Sequence, residues 1–259
     1  MRRRRSLRRA RLAAGRRARL EARLRLVEAE TIGAGAKSLS APTVRAVQSR
    51  DWRQAGVVPP TRDQGDPMRF NTCSSFALVA VIEAVRAIRG LPAVTLAPGF
   101  IHRCLLGLDE TRTATPRMVV EAVRAGGVAA GFAGDYPFPP DRCEIPDRVR
   151  IAGSALVNAP TDEGRNAAAM QAIDDHGPIL ADMHVDAGFF SLSDGEVYAP
   201  APGEPTFLHS VAVIGFDRLA RYWLVLNSTG AEWADGGVGK VAFGAGGMIS
   251  KRGGYRILV

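Results

Sequence analysis

Four residues of this chain carry chemistry if the fold brings them together: Cys73, His209, Asn227 and Gln64. A thiol becomes a nucleophile when it loses its proton. An imidazole takes up and returns that proton near neutral pH. A side-chain carbonyl such as that of Asn227 fixes the imidazole's tautomer and orientation. The NH₂ of Gln64, with the backbone N–H of Cys73, suits an oxygen that turns negative during reaction. Together they suit attack on an amide and a covalent acyl intermediate. Each residue alone has a plainer use: Cys73 as a small core residue, His209 as a satisfied core histidine, Asn227 as a strand end and Gln64 in a turn.

The spacing supplies the elements that must position them. Thr72 can cap a helix that starts at Cys73. Phe76, Val79, Ala80 and Val85 recur along it at helical spacing, and Gly90 ends it. A thiol there sits at the positive end of the helix macrodipole, which favours the thiolate. His209 opens one predicted strand and Asn227 ends the next. Gln64 lies nine residues before Cys73. Further helices are predicted at 99–108, 115–125 and 166–175. Strands are predicted at 151–157, 179–185, 209–216, 222–227, 238–243 and 255–259. The proline-rich stretch 131–147 reads as irregular. Helices thus dominate the first half and strands the second, which predicts an α+β protein of two lobes.

Several segments, in order, resemble the papain-like cysteine peptidases. Asp51-Trp52-Arg53 with Gly56-Val57-Val58-Pro59-Pro60 resembles the start of their mature domain. Asp63-Gln64-Gly65 resembles the Gln-Gly before their nucleophile, and Cys73-Ser74-Ser75-Phe76-Ala77 their Cys-Trp-Ala-Phe-Ser. The run from His209 to Phe216 resembles the catalytic-histidine strand. Asn227-Ser228-Thr229-Gly230 with Trp233 resembles their Asn-Ser-Trp-Gly and the tryptophan beyond it. Leu96 to Cys104 and Tyr136-Pro137-Phe138 are weaker echoes. The resemblance implies a helical lobe and a β-sheet lobe with the active site in the cleft between them. It also implies Cys73, His209 and Asn227 as a catalytic triad, Gln64 as an oxyanion donor, a protein or peptide substrate, and no cofactor.

The departures are equally specific. Ser74 and Thr229 stand where the family has tryptophan, and Thr229 is expected to leave the Asn227–His209 bond wetter. The family's Gly-Gly for extended substrate is replaced by Arg112 to Arg117, and Asp66 to Asn71 replaces a short cysteine-containing segment. These changes keep a second class of function in view: a weak or inactive papain-like binding module.

Charge divides the chain. Of 34 Lys and Arg, 12 lie in residues 1–25 with a single Glu, which leaves 22 basic against 25 acidic in the remainder. The basicity therefore belongs to an arginine-rich arm, residues 1–30, followed by a small-residue linker at 31–45 and a catalytic-looking domain at 46–259. The arm has no apolar run long enough for a secretory signal or a membrane span. Such a block suits a solvated tail or contact with nucleic acid or an anionic membrane. The three cysteines show no zinc spacing. Cys104 and Cys143 resemble disulfide positions of secreted relatives whose partners this chain lacks. That pattern predicts a reducing, cytoplasmic compartment, or export without a cleavable signal. His102, His176 and His184 have no motif around them.

Overall fold

The computed structural model describes residues 47–67, 69–131 and 136–259. The arginine-rich arm and the linker lie outside the described residues. A first short strand, β1 (Ser49–Asp51), leads into a single 3₁₀ turn, Trp52–Ala55. The central helix, α1 (Cys73–Ile88), buries every residue from Cys73 to Val85. A helix apolar on all sides must be covered on all sides. One flank packs against Val119, Val120 and Val123, the other against Leu180, Ala212, Ile214 and Leu226. Helix α2 (Pro116–Gly126) supplies the first flank. It starts as expected, with Thr115 as N-cap accepting from Met118 N and Pro116 in its first turn.

Strands β2 (Val128–Ala129) and β3 (Arg148–Val149) form a small separate sheet. The remaining strands join β1 in an eight-stranded sheet. They are β4 (Gly153–Val157), β5 (Ile179–Val185), β6 (Val197–Tyr198), β7 (Phe207–Asp217), β8 (Tyr222–Leu226), β9 (Val238–Ala242) and β10 (Gly254–Leu258). The order is β4-β10-β5-β7-β8-β9-β6, with β1 antiparallel to β7. Two-residue alternation along β7 sorts its side chains. Ala212 and Ile214 face α1, while Val211 and Val213 join the core on the other side, under helix α3 (Asp162–His176). β1 crosses β7 so closely that a Cβ at Gly215 would fall on the Arg50 carbonyl oxygen, which only glycine permits.

Helices in the first half and a sheet in the second match the α+β expectation. Helix α3 begins four residues before its predicted start, because Thr161 caps it by accepting from Gly164 N at 3.0 Å. The predicted helix at 99–108 is a single turn, Pro98–Phe100, that runs on as π-helix through Ile101–Leu105. Thr72 occupies the N-cap position of α1 but does not cap it. Its hydroxyl is 2.7 Å from the Tyr136 hydroxyl instead.

Cys104 and Cys143 bond to each other, Cα to Cα 5.3 Å, across 39 residues of chain. This corrects the expectation that they lack partners, and it removes the cysteine argument for a reducing compartment. Disulfides of this kind persist in oxidising surroundings. No helix among the described residues is long and apolar enough to cross a membrane. The bridge ties the proline-rich stretch to the helical side of the molecule. Chain entropy for a loop of this length gives about 4 kcal/mol. Replacing both cysteines by serine is expected to lower unfolding stability by about 2–4 kcal/mol in denaturant titration; an unchanged midpoint would contradict this role.

Candidate active site

The structure brings Cys73, His209 and Asn227 together at the N-terminal end of α1, and ties Gln64 to Ser228, the neighbour of Asn227. Cys73 is the first residue of the helix and the free cysteine of the chain, with 8% of its surface open. His209 is the third residue of β7, and Asn227 follows the last residue of β8. β7 and β8 pair antiparallel, so one sheet holds both residues. His209 Nε2 donates to Asn227 Oδ1 at 2.8 Å. That bond commits Nε2 as a donor and leaves Nδ1 for Cys73. Asn227 Nδ2 donates to Thr229 Oγ1 at 2.9 Å, which fixes the amide's orientation.

Burial alone would push the Cys73 thiol up. The His209 charge, the hydrogen bond to His209 and contacts from Ser210 outweigh it, and the thiol titrates below its ordinary value. Burial likewise pushes the His209 imidazole down. The Cys73 charge and hydrogen bonds to Cys73 and Asn227 reverse that, and the net shift is upward. Both shifts have the sign of a thiolate–imidazolium pair.

Gln64 is fully buried. Its backbone N–H donates to Ser228 O at 2.8 Å. Its side-chain carbonyl accepts from Ser228 Oγ at 2.6 Å, and its NH₂ donates to Phe70 O at 2.8 Å. The loop between Gln64 and Cys73 therefore holds the glutamine in place. It folds back, with Phe70 N bonded to Asp66 O at 2.8 Å, and its own carbonyl pins the amide.

The segment Glu110 to Ala114, which runs into the stretch Arg112 to Arg117, is anchored beside Cys73 by its carbonyls. Asn71 N donates to Glu110 O at 2.7 Å and Asn71 Nδ2 to Thr111 O at 2.8 Å. Buried His102 donates from Nε2 to Arg112 O at 2.8 Å, and Ser74 Oγ to Ala114 O at 2.7 Å. Burial is the largest influence on His102 and lowers its pKa, so it stays neutral and serves as an anchor. His176 ends α3, and His184 Nε2 lies 2.8 Å from an Arg252 guanidinium nitrogen.

The expected wet Asn227–His209 bond is not found. His209 is 2% exposed and Asn227 4%. Phe189 and Phe190 cover the imidazole, with ring centroids at 5.4 and 5.3 Å. Trp233 packs on Phe189 at 5.0 Å and donates from its indole N–H to Phe189 O at 2.7 Å. It fits because Gly239, lacking a Cβ, leaves room for the indole. The shield thus comes from a different part of the chain than position 229. Thr229→Trp is accordingly expected to give no faster alkylation of Cys73, since it covers nothing exposed and removes the acceptor of Asn227 Nδ2. A several-fold acceleration in a stopped-flow thiol assay would show that the bond is wet after all.

Sequence reasoning missed Phe189, Phe190 and Ser210. The aromatic pair follows β5 in a 3₁₀ turn, Ala187–Ser191, and carries no spacing signal. Ser210 was legible: alternation places it on the α1 face of β7, ahead of Ala212 and Ile214.

Comparison with known proteins identifies the family of the chain. The chain is 27% identical over 217 residues to cysteine proteinase A of Leishmania mexicana, covering 80% of this chain and 57% of that protein. It is 27% identical over 193 residues to macrodontain-1 of Ananas macrodontes, covering 73% of this chain and 86% of that one. The chain spans little more than half the length of several curated relatives it matches. Among solved structures it resembles the bromelain protease of Ananas comosus, with TM-score 0.64, 25% identity, and coverage of 81% and 97%. The cysteine protease of Carica candamarcensis, at TM-score 0.64, 23% identity and coverage of 82% and 98%, has the same fold. The sequence model of the papain family of cysteine proteases matches residues 46–251, and on that match the chain belongs to that family.

Proposed function

We propose that the chain is a cysteine-type peptidase that cleaves a peptide or isopeptide bond through a covalent thioester. The observation that carries this is the placement of Cys73 at a helix N-terminus against an imidazole whose other nitrogen is held by Asn227 at 2.8 Å. The Cys73 thiolate attacks the carbonyl carbon. Negative charge moves to the carbonyl oxygen, where the Cys73 backbone N–H and the second amide hydrogen of Gln64 receive it. One such donor is worth about 2.7–4 kcal/mol in the barrier. The His209 imidazolium then gives its proton to the amine nitrogen, the C–N bond breaks, and the amine leaves. Neutral His209 next takes a proton from water, which attacks the thioester. The acid departs, and the thiolate and imidazolium are restored.

The two pKa shifts set the pH dependence. The lowered thiol gives thiolate at a lower pH than an ordinary cysteine, about 8.5. The raised imidazolium keeps its proton to a higher pH than an ordinary histidine, about 6.5. The reactive pair is populated between these limits, and the two steps belong to the pair as a whole. Hydrolysis of a fluorogenic peptide library should therefore follow a bell in pH. Its acid limb should lie well below 8.5 and its alkaline limb above 6.5. Activity that only rises with pH through the free-thiol range would refute the ion pair.

A further inference from the structure

Beside the triad lies a second set of polar groups that the mechanism above leaves unused. Ser74 and Ser210 are 1% and 2% exposed, and their hydroxyl oxygens are 2.8 Å apart. Ser74 Oγ is also 2.7 Å from the Ala114 carbonyl oxygen. A carbonyl only accepts, so the single Ser74 proton is committed to Ala114. In the contact between the two serines, Ser210 must therefore donate. Ser74 follows Cys73 and Ser210 follows His209 in the chain, so their contact sets Ser210 beside the thiol, whose pKa the Ser210 backbone N–H and hydroxyl both lower. The Ser210 hydroxyl thus has one proton and two acceptors.

We propose that Ser210 is a further catalytic residue whose hydroxyl proton is shared between the Cys73 sulfur and Ser74 Oγ. It turns to the sulfur when that atom is negative and back to Ser74 when the sulfur is acylated. The proposal rests on Cys73 being the nucleophile. A hydrogen bond to an anion is roughly twice as strong as one between neutral groups, so the thiolate wins the proton. A thioester sulfur is a weak acceptor, so the proton then returns to the serine oxygen. The hydroxyl is satisfied at every stage, which a buried donor requires. Ser210 stabilises the thiolate as it forms before attack and again as it leaves during deacylation. Ser74, as the resting acceptor, tempers the effect, because a thiolate held too strongly loses nucleophilicity. A tryptophan at 74 would supply no such acceptor, so the serine there is part of the device.

The two serines are predicted to act with opposite signs. The probe is iodoacetamide on the full chain, with alkylation rate followed against pH. Cys104 and Cys143 are bonded to each other, so Cys73 is the thiol that reacts. Ser210→Ala should move the acid limb up by about one pH unit, a tenfold slower reaction on that limb. Ser74→Ala should move the limb down by a smaller amount, because Ser210 then has the sulfur alone to serve. A wild-type limb well below 8.5 that Ser210→Ala leaves in place would overturn this inference and spare the nucleophile. An upward shift in folded Ser74→Ala would overturn the sharing. A wild-type thiol that titrates near 8.5 would overturn both the nucleophile and this inference. Should Ser74→Ala fail to fold, Ser210→Ala decides the matter alone.

Discussion

Cys73→Ala is expected to abolish peptide hydrolysis and to leave a folded protein. Turnover is expected to fall on the order of 10⁵-fold or more, because no other group in the site can form the acyl intermediate. The same substitution has a second readout. In the intact pair the thiolate charge holds the His209 imidazolium up against the cost of burial. Without the sulfur, burial is opposed only by the bond to Asn227, and the imidazole pKa should fall below its ordinary value. Histidine titration by NMR measures this directly. An imidazole that titrates identically in both proteins would mean that the sulfur carries no charge at neutral pH. Residual hydrolysis within tenfold of wild type would place the nucleophile elsewhere.

Phe189→Ala should be the costliest substitution that touches the site without touching its chemistry. Phe189 is fully buried and packs on Phe190, Tyr198, His209 and Trp233. Removing such a ring costs about 3–5 kcal/mol. In a domain of this size that lowers the melting temperature by roughly 10 °C. The loss also opens a path for water to the His209–Asn227 bond, which weakens as the local dielectric rises. Alkylation of Cys73 at pH 6 should therefore slow several-fold in protein that is still folded. Differential scanning calorimetry and the thiol assay separate the two effects. Full stability would contradict the packing role. A normal alkylation rate in a destabilised variant would contradict the shielding role.

How far the sequence leads can be read from particular residues. The α1 helix was legible because Phe76, Val79, Ala80 and Val85 repeat at helical spacing. The long strands were legible because runs such as Ile179–Val185 alternate between turn residues. His209, Asn227 and Gln64 were legible only as a set with Cys73, since each has an ordinary structural use. Thr72 misled because a capping hydroxyl and one that meets Tyr136 across the fold look the same in sequence. The pairing of Cys104 with Cys143 depends on how the proline-rich stretch folds back, which no local pattern specifies. The shield over the imidazole was invisible for a similar reason. Phe189 and Phe190 approach His209 through tertiary packing, 20 and 19 residues away in the chain. Thr229 was then read as a loss, when the covering aromatic surface had been supplied from another loop.

The most direct measurement of the central claim is covalent labelling of the folded full chain with an epoxide-type thiol inhibitor at pH 6, mapped by peptide mass spectrometry. Cys73 should take up one equivalent per molecule, and His209→Ala should label orders of magnitude more slowly. If the folded protein stays unlabelled, or if wild type and His209→Ala react at the same rate, Cys73 and His209 do not form the reactive pair.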